Sequence, residues 1–357
     1  MGPEIVTVIV GGTRYTAFDP VNVTAAINKA ARTFSLTVAA ELGSSATNAV
    51  FAVGTEISIY ANADLLLTGF VDSKQPKLAP TAASISVSGR SSSGDLIDSS
   101  ADHKTGRFEK KDPLEIGKEL SSKFSKTGFI SDQQLEKVDQ YQLTPGESVF
   151  RCVEKMCRQQ GMTLAGTADG KINITKAGDK RQSGALIEGV NILEGSASHT
   201  GSNRHSSYKV RGQRPVDHGE QNLEIEAEEQ DSAIERYRPL IIVEDEDTTK
   251  DRSKKRAKNR KERAAGNALK ASISVQGFRD DSGQLWEPGN LVWTQSPFLD
   301  IAQDMLIEQV QYEQSSRTGS IATLSLTDPR AYGGKGAGGG KGNQSGDEWD
   351  IGDDLGT

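Results

Sequence analysis

Short runs of alternating apolar and polar residues recur along most of this chain. They occur at residues 34–38 (FSLTV), 56–60 (EISIY) and 84–88 (SISVS), with apolar-rich runs at 5–10 and 65–71. Each alternating run has one apolar face and one face of Ser or Thr, which predicts strands packed on one side and wetted on the other. Gly11 and Gly12 predict a tight turn into a short strand at 13–16. Residues 21–31 read as a linking segment, and 72–83, broken by Pro76 and Pro80, as a long loop within one hairpin. These elements describe a small antiparallel barrel or closed sheet. The run GRSSSGDLID after residue 88 turns the chain out of it, which sets a domain edge near residue 100.

The period changes beyond that edge. Leu114, Ile116, Leu120 and Phe124 lie near one helical face, with Pro113 in the first turn. Residues 144–147 (TPGE) read as a capped start for a second helix, whose apolar face is Val149, Phe150, Val153, Met156 and Cys157 and which stops at Gly161. Strands at 162–165 and 171–174 flank the turn Asp169-Gly170, so 101–178 reads as a compact α/β domain. Strand-like runs then return at 184–193, 207–213, 271–278, 285–293, 305–312 and 320–326.

Between these lie an acidic stretch (Glu220, Glu224, Glu226, Glu228, Glu229, Asp231, then 244–247) and a basic one. Residues 250–263 hold nine Lys or Arg and predict a helix over about 250–267. A cationic helix can track phosphates. Here no aromatic is interleaved to stack bases, and the acids upstream are positioned to neutralise it. A solvated helix paired with acidic partners, in this chain or a neighbouring subunit, is the preferred reading over nucleic-acid binding.

An internal repeat emerges from spacing. Val71 precedes Ile85 and Val87 by the same intervals that separate Val310 from Leu324 and Leu326, and comparable Gly-marked strands precede both hairpins. The fold expected is therefore mainly β with an α+β insertion: two similar small antiparallel β-barrel domains (1–100 and 179–332, the latter carrying the basic helix) flank the α/β domain of 101–178. Residues 333–346 are a flexible linker by composition, and the acidic end, 347–357 with Trp349 and Ile351, reads either as a disordered tail or as a peptide that docks on a partner.

Composition agrees with strands and turns: 37 glycines and 6% aromatics in 357 residues. A net charge of −7 opposes whole-chain attraction to nucleic acid or an anionic membrane. No apolar run reaches the roughly 18 residues that span a bilayer, and the N-terminus lacks a signal pattern, so synthesis and folding in a cytoplasm are expected. Cys152 and Cys157 stand five apart on a helix, pointing about 140° from one another; they read as small buried residues, not a disulfide or a metal pair. His103, His199, His205 and His218 lie in polar stretches without metal-ligand spacing. No catalytic, cofactor-binding or metal residue can be assigned.

The GFVD strand at 69–72, the strand ending SGRS, the GDLIDSSA exit, the run 145–175 (PGESVFRCVEKMCRQQGMTLAGTADGKINIT), GVNILEG, LWEPGNLV, MLIEQVQYE and SIATLSLTDPRAY, taken in order, resemble the baseplate hub proteins of Mu-like contractile-tailed phages over about residues 1–332. The resemblance implies a non-enzymatic structural protein of the virion tail baseplate, assembled in the host bacterial cytoplasm and not inserted in a membrane. It implies a homotrimeric ring that adapts a hexameric tail tube to a trimeric central spike. Its partners would be itself, the tube, the spike and other baseplate proteins, with DNA only in transit through the channel. The alternatives are a spike-complex component of a related secretion or bacteriocin-like particle, and a peptidoglycan-cleaving hub enzyme.

Overall fold

The computed structural model describes residues 4–41, 46–178, 180–212, 225–244 and 250–334. The first part of the chain contains β1 (Val6–Val10), β2 (Thr13–Tyr15), β3 (Val21–Ala26), β4 (Thr33–Ala40), the short α1 (Ala46–Val50), β5 (Glu56–Ala61), β6 (Asp64–Ala79) and β7 (Ala82–Ser91). Two sequence expectations change here. The supposed linking segment is β3: Val21, Val23 and Ala25 are buried and Asn22 and Thr24 lie on the other face, a strand alternation. The supposed long loop is ladder, because β6 and β7 stay paired out to Ala79 opposite Ala82. Pro76 is tolerated because β5 leaves β6 at Phe70. Beyond that point β6 has a neighbour on one side only, where a missing N–H costs little.

A short α2 (Gly94–Asp98) leads into the α/β part: β8 (Arg107–Lys111), α3 (Pro113–Leu120), β9 (Phe129–Ser131), β10 (Val138–Gln142), α4 (Val149–Gln159), β11 (Thr163–Gly166) and β12 (Ile172–Thr175). α3 starts as predicted at Pro113, behind a capping box between Asp112 and Glu115. α4 is capped by Ser148, whose hydroxyl accepts from the Arg151 N–H, and not by Thr144. Glu147 is buried instead and accepts from the Tyr141 hydroxyl (2.9 Å) and the Thr144 N–H. Ile116 and Leu120 of α3 meet Val149, Val153 and Met156 of α4 over Phe129, Ile172 and Ile174 in one core.

The last part holds β13 (Arg181–Ile187), β14 (Ile192–His199), β15 (Ser207–Gly212), β16 (Ile225–Gln230), β17 (Pro239–Val243), α5 (Lys250–Gly266), β18 (Leu269–Gln276), β19 (Leu291–Ser296), β20 (Ile301–Ser315) and β21 (Gly319–Thr327), closed by a 3-10 turn at Pro329–Tyr332. The sheet β16-β15-β17, with α5 against it, was not foreseen as a unit; Tyr208, Val210 and Ala257 form its core.

The repeat is present in the hydrogen bonding. The first part runs β3-β4-β7-β6-β5-β1 across its sheet, and the last part runs β14-β18-β21-β20-β19-β13, the same order in space and in sequence. Both long hairpins carry a register shift at the same place, between Val71 and Ser73 in β6 and between Ile307 and Gln309 in β20. This alignment makes Asp72 the counterpart of Glu308 and Val87 the counterpart of Leu324. The equivalence by spacing was therefore out of register: Val71 lies opposite Gly89, whereas Val310 lies opposite Leu324. One difference remains, since β1 is antiparallel to β5 while β13 is parallel to β19. The two halves are also not separate, because β3 pairs with β20 from Ala26 opposite Gln309 to Val21 opposite Gln314, making one 13-stranded sheet over one apolar core.

Candidate interaction surfaces

Two arginines lock the parts of the chain together. Arg32, between β3 and β4, is buried; its guanidinium donates to the carbonyls of Leu66 and Gly166 (both 3.0 Å) and to the Glu287 carboxylate (2.8 Å). It thus ties the first sheet to the α/β part and to the last part at one point. Gly166 must be glycine there, because a Cβ would run into the Ala30 carbonyl. Arg279 pairs with Glu4 (2.7 Å) and Asp64 (2.6 Å), joining the start of the chain to the loop before β19. Burial lowers its pKa, but these two carboxylates outweigh that and the net shift is upward.

Several strand edges are open among the described residues, those of β2 and β13 included, and two of them correspond through the repeat to the joint between β3 and β20. β14 ends the sheet, and the outer half of β6, including residues 75–78, pairs only with β7. Each carries an exposed leucine, Leu193 on β14 (55% exposed) and Leu78 on β6 (79%). Backbone edges bordered by apolar side chains are templates for another chain.

The basic helix α5 lies on the β16-β15-β17 sheet through small residues, Ala257 and Ala264. Its acidic partners include residues of this chain: Arg256 pairs with Glu244 (2.9 Å) and Lys261 with Glu229 (3.2 Å). Gly266 permits close contact with the 3-10 turn, where a Cβ would strike the Ala331 backbone. Arg260 and Arg263 point instead into a cleft of about 920 Å³ shared with the C-terminal end of α4.

The remaining sequence candidates have structural surroundings. Cys152 and Cys157 are free and buried in the α/β core, and burial pushes both thiols up to about 12. His103 contacts Glu119 (3.0 Å), His199 contacts the Leu299 carbonyl (2.9 Å), and His205 packs edge-on against Tyr208. His218 and the tail from residue 335, with Trp349 and Ile351, lie outside the described residues. Among the described residues no group of three or more His, Cys, Asp or Glu is arranged to hold a metal ion, and no helix is long and apolar enough to cross a membrane.

Family models match this chain in three consecutive blocks. Residues 5–91 match the Mu phage baseplate assembly protein GpP-like N-terminal domain, 93–176 the baseplate hub protein gp44-like second domain, and 248–334 the Mu phage baseplate assembly protein GpP fourth domain. The chain belongs to the Mu-like baseplate hub family. Within that family this hub is 24% identical to the baseplate hub protein gp44 of Escherichia phage Mu over 339 residues, covering 92% of this chain and 88% of gp44. It superposes on the 43 kDa tail protein of prophage MuSo2 from Shewanella oneidensis with a TM-score of 0.81 at 25% identity, covering 92% of the hub and 99% of that protein. A tail protein from Neisseria meningitidis MC58 shares the fold, with a TM-score of 0.75 at 18% identity over 92% and 99% of the two chains. The hub is a structural component of a phage tail baseplate. The sheet β16-β15-β17 falls between the second and third matched blocks.

Proposed function

We propose that three copies of this hub close a ring between a hexameric tail tube and a trimeric spike, with a central channel that DNA traverses, and that the chain does no catalysis. The carrying observation is the repeated sheet together with two of its open edges, β14 and the outer half of β6. Within one chain, β3 of the first unit pairs with the outer half of β20 in the second. The counterpart of β3 is β14, and the counterpart of that half of β20 is the open half of β6, so the same joint made between chains would pair β14 of one copy with β6 of the next. Shared register carries Val21 opposite Gln314 onto Gly195 opposite Leu78, and Thr24 opposite Gln311 onto Ser198 opposite Gln75.

This joint would cover Leu78 and satisfy the backbone of both edges. Pro76 offers no donor and removes at most one bond from the ladder, while blunting the edge of a free monomer. Two similar units per chain give three copies six sheet units around the axis, and the unrepeated parts give threefold features, which suits a sixfold partner on one face and a threefold partner on the other. The division at about residues 100 and 178 belongs to this reading, as do assembly in the host cytoplasm and contacts with tube and spike.

The test is Gln75→Cys combined with Ser198→Cys. Light scattering of the unmodified hub should give a trimer, and mild oxidation of the double variant should give a covalent trimer that neither single variant gives. A stable monomer or dimer in light scattering, or a trimer whose double variant does not crosslink, would overturn the arrangement.

A further inference from the structure

The cleft between α4 and α5 combines two kinds of surface. Arg158 at the end of α4 and Arg260 and Arg263 on α5 face it, against the single lining carboxylate Glu154, whose contact with Arg158 is a long 3.6 Å. Lys270 also lines it but is engaged by Glu308 at 3.4 Å. Phe150, Met162 and Tyr332 supply a half-buried apolar floor. Arg260 and Arg263 are exposed, and the acids that hold Arg256 and Lys261 do not reach them. An occupant that fits has several carboxylates around one aromatic side chain.

The chain itself contains such a segment. Residues 347–354 read DEWDIGDD, five acids around Trp349 and Ile351. The described chain ends at Gly334, two residues past Tyr332 in the cleft wall. Fourteen residues, half of those between 335 and 346 glycine, separate Gly334 from Trp349. A Gly-rich chain of that length has a root-mean-square span of about 20 Å, ample for a site that begins beside its own anchor.

We propose that residues 347–354 dock in this cleft of their own chain, carboxylates on Arg158, Arg260 and Arg263 and Trp349 on the apolar floor. The docked tail covers the cationic end of α5 and withholds it from polyanions, nucleic acid among them. This inference does not depend on the trimer.

The experiment is hydrogen exchange followed by mass spectrometry on the full chain. It compares the wild type, a tail variant (Asp347→Lys, Glu348→Lys, Asp350→Lys), a cleft variant (Arg260→Glu, Arg263→Glu) and their combination. A tethered segment is present at an effective concentration of about 1 mM, so an intrinsic affinity of about 0.3 mM slows exchange around the cleft roughly fourfold. Peptides covering 158–164 and 259–267 should exchange faster in either charge-reversed variant, regain protection in the combination, and lose it in 1 M NaCl, where the Debye length is about 3 Å. The tail variant changes no residue of the folded core, so it tests docking even if the cleft variant is destabilised. Equal exchange in the wild type and the tail variant would overturn the proposal. So would protection that vanishes on dilution, which would mean that another copy supplies the segment.

Discussion

Replacing Arg32 by alanine tests whether one buried guanidinium holds the three parts of the hub in register. The substitution removes three side-chain hydrogen bonds and leaves the Gly166 and Leu66 carbonyls and the Glu287 carboxylate without their donor. Hydrogen bonds from a charged donor are worth about 1.5–3 kcal/mol each, and stranded buried acceptors add to the loss. The three share one side chain and are not additive, and Glu287 is 37% exposed, so water recovers part of its loss. The expected cost is about 4 kcal/mol, in the range for removing one partner of a buried pair. Arg32→Lys should recover less than half, because an ammonium cannot reach three acceptors that a planar fork spans. Calorimetry should show the α/β part melting separately in Arg32→Ala, and the emission of buried Trp286, next to Glu287, should change at the lower transition. A single transition with a loss below about 1 kcal/mol would refute the argument.

Gly89→Ala should destabilise the long hairpin by about 3 kcal/mol or more, since its Cβ would meet the Phe70 carbonyl across the ladder and the Phe34 ring; urea unfolding measures it, and a neutral variant would contradict the close approach of β6 and β7. Burial pushes the Glu147 carboxyl up, but the hydrogen bonds and charge of Lys155, Tyr141 and Thr144 outweigh it and hold the group below its ordinary value of 4.5. Its contribution is therefore present above that pH and lost as pH falls through the lowered folded value, and Glu147→Gln should flatten the acid side of the stability curve, read as urea midpoints from pH 6 to 3. The two buried thiols titrate near 12 against an ordinary value of 9.0. Folding is favoured fully below pH 9 and loses this contribution as pH rises towards 12, so thiol reagents at pH 8 should react only as the chain unfolds, and rapid labelling of the native hub would contradict the buried placement.

Much of this architecture was legible where period and turn chemistry agreed. The alternating runs became strands, Pro113 opened a helix, and the basic stretch became α5. β3 was missed because its apolar positions are filled by short Val and Ala with no turn signal after them. The partner that makes it a strand, β20, lies almost the whole chain away. Pro76 misled because the breaker rule assumes neighbours on both sides. Ser148, not Thr144, caps α4, since Glu147 turns inward to satisfy Tyr141. The repeat was visible in spacing but misregistered, because bulges at Asp72 and Glu308 insert a residue that leaves no mark in composition. The edges that would join copies were illegible, because an edge is defined by which strand is absent beside it, and only the full ladder reveals that.

The joint between β3 and β20 also sets a clock on synthesis. Residues 21–26 leave the ribosome early, yet their partners at 309–314 follow some 280 residues later. At about 5–20 residues per second, that leaves β3 with one side unfilled for about 15–60 s. A nascent hub cannot complete its main sheet from its first domain alone, and any product cut short before β20 carries the defect in its oldest part. The unpaired backbone of an unfinished chain therefore stands at its beginning, where the absence of its end is exposed.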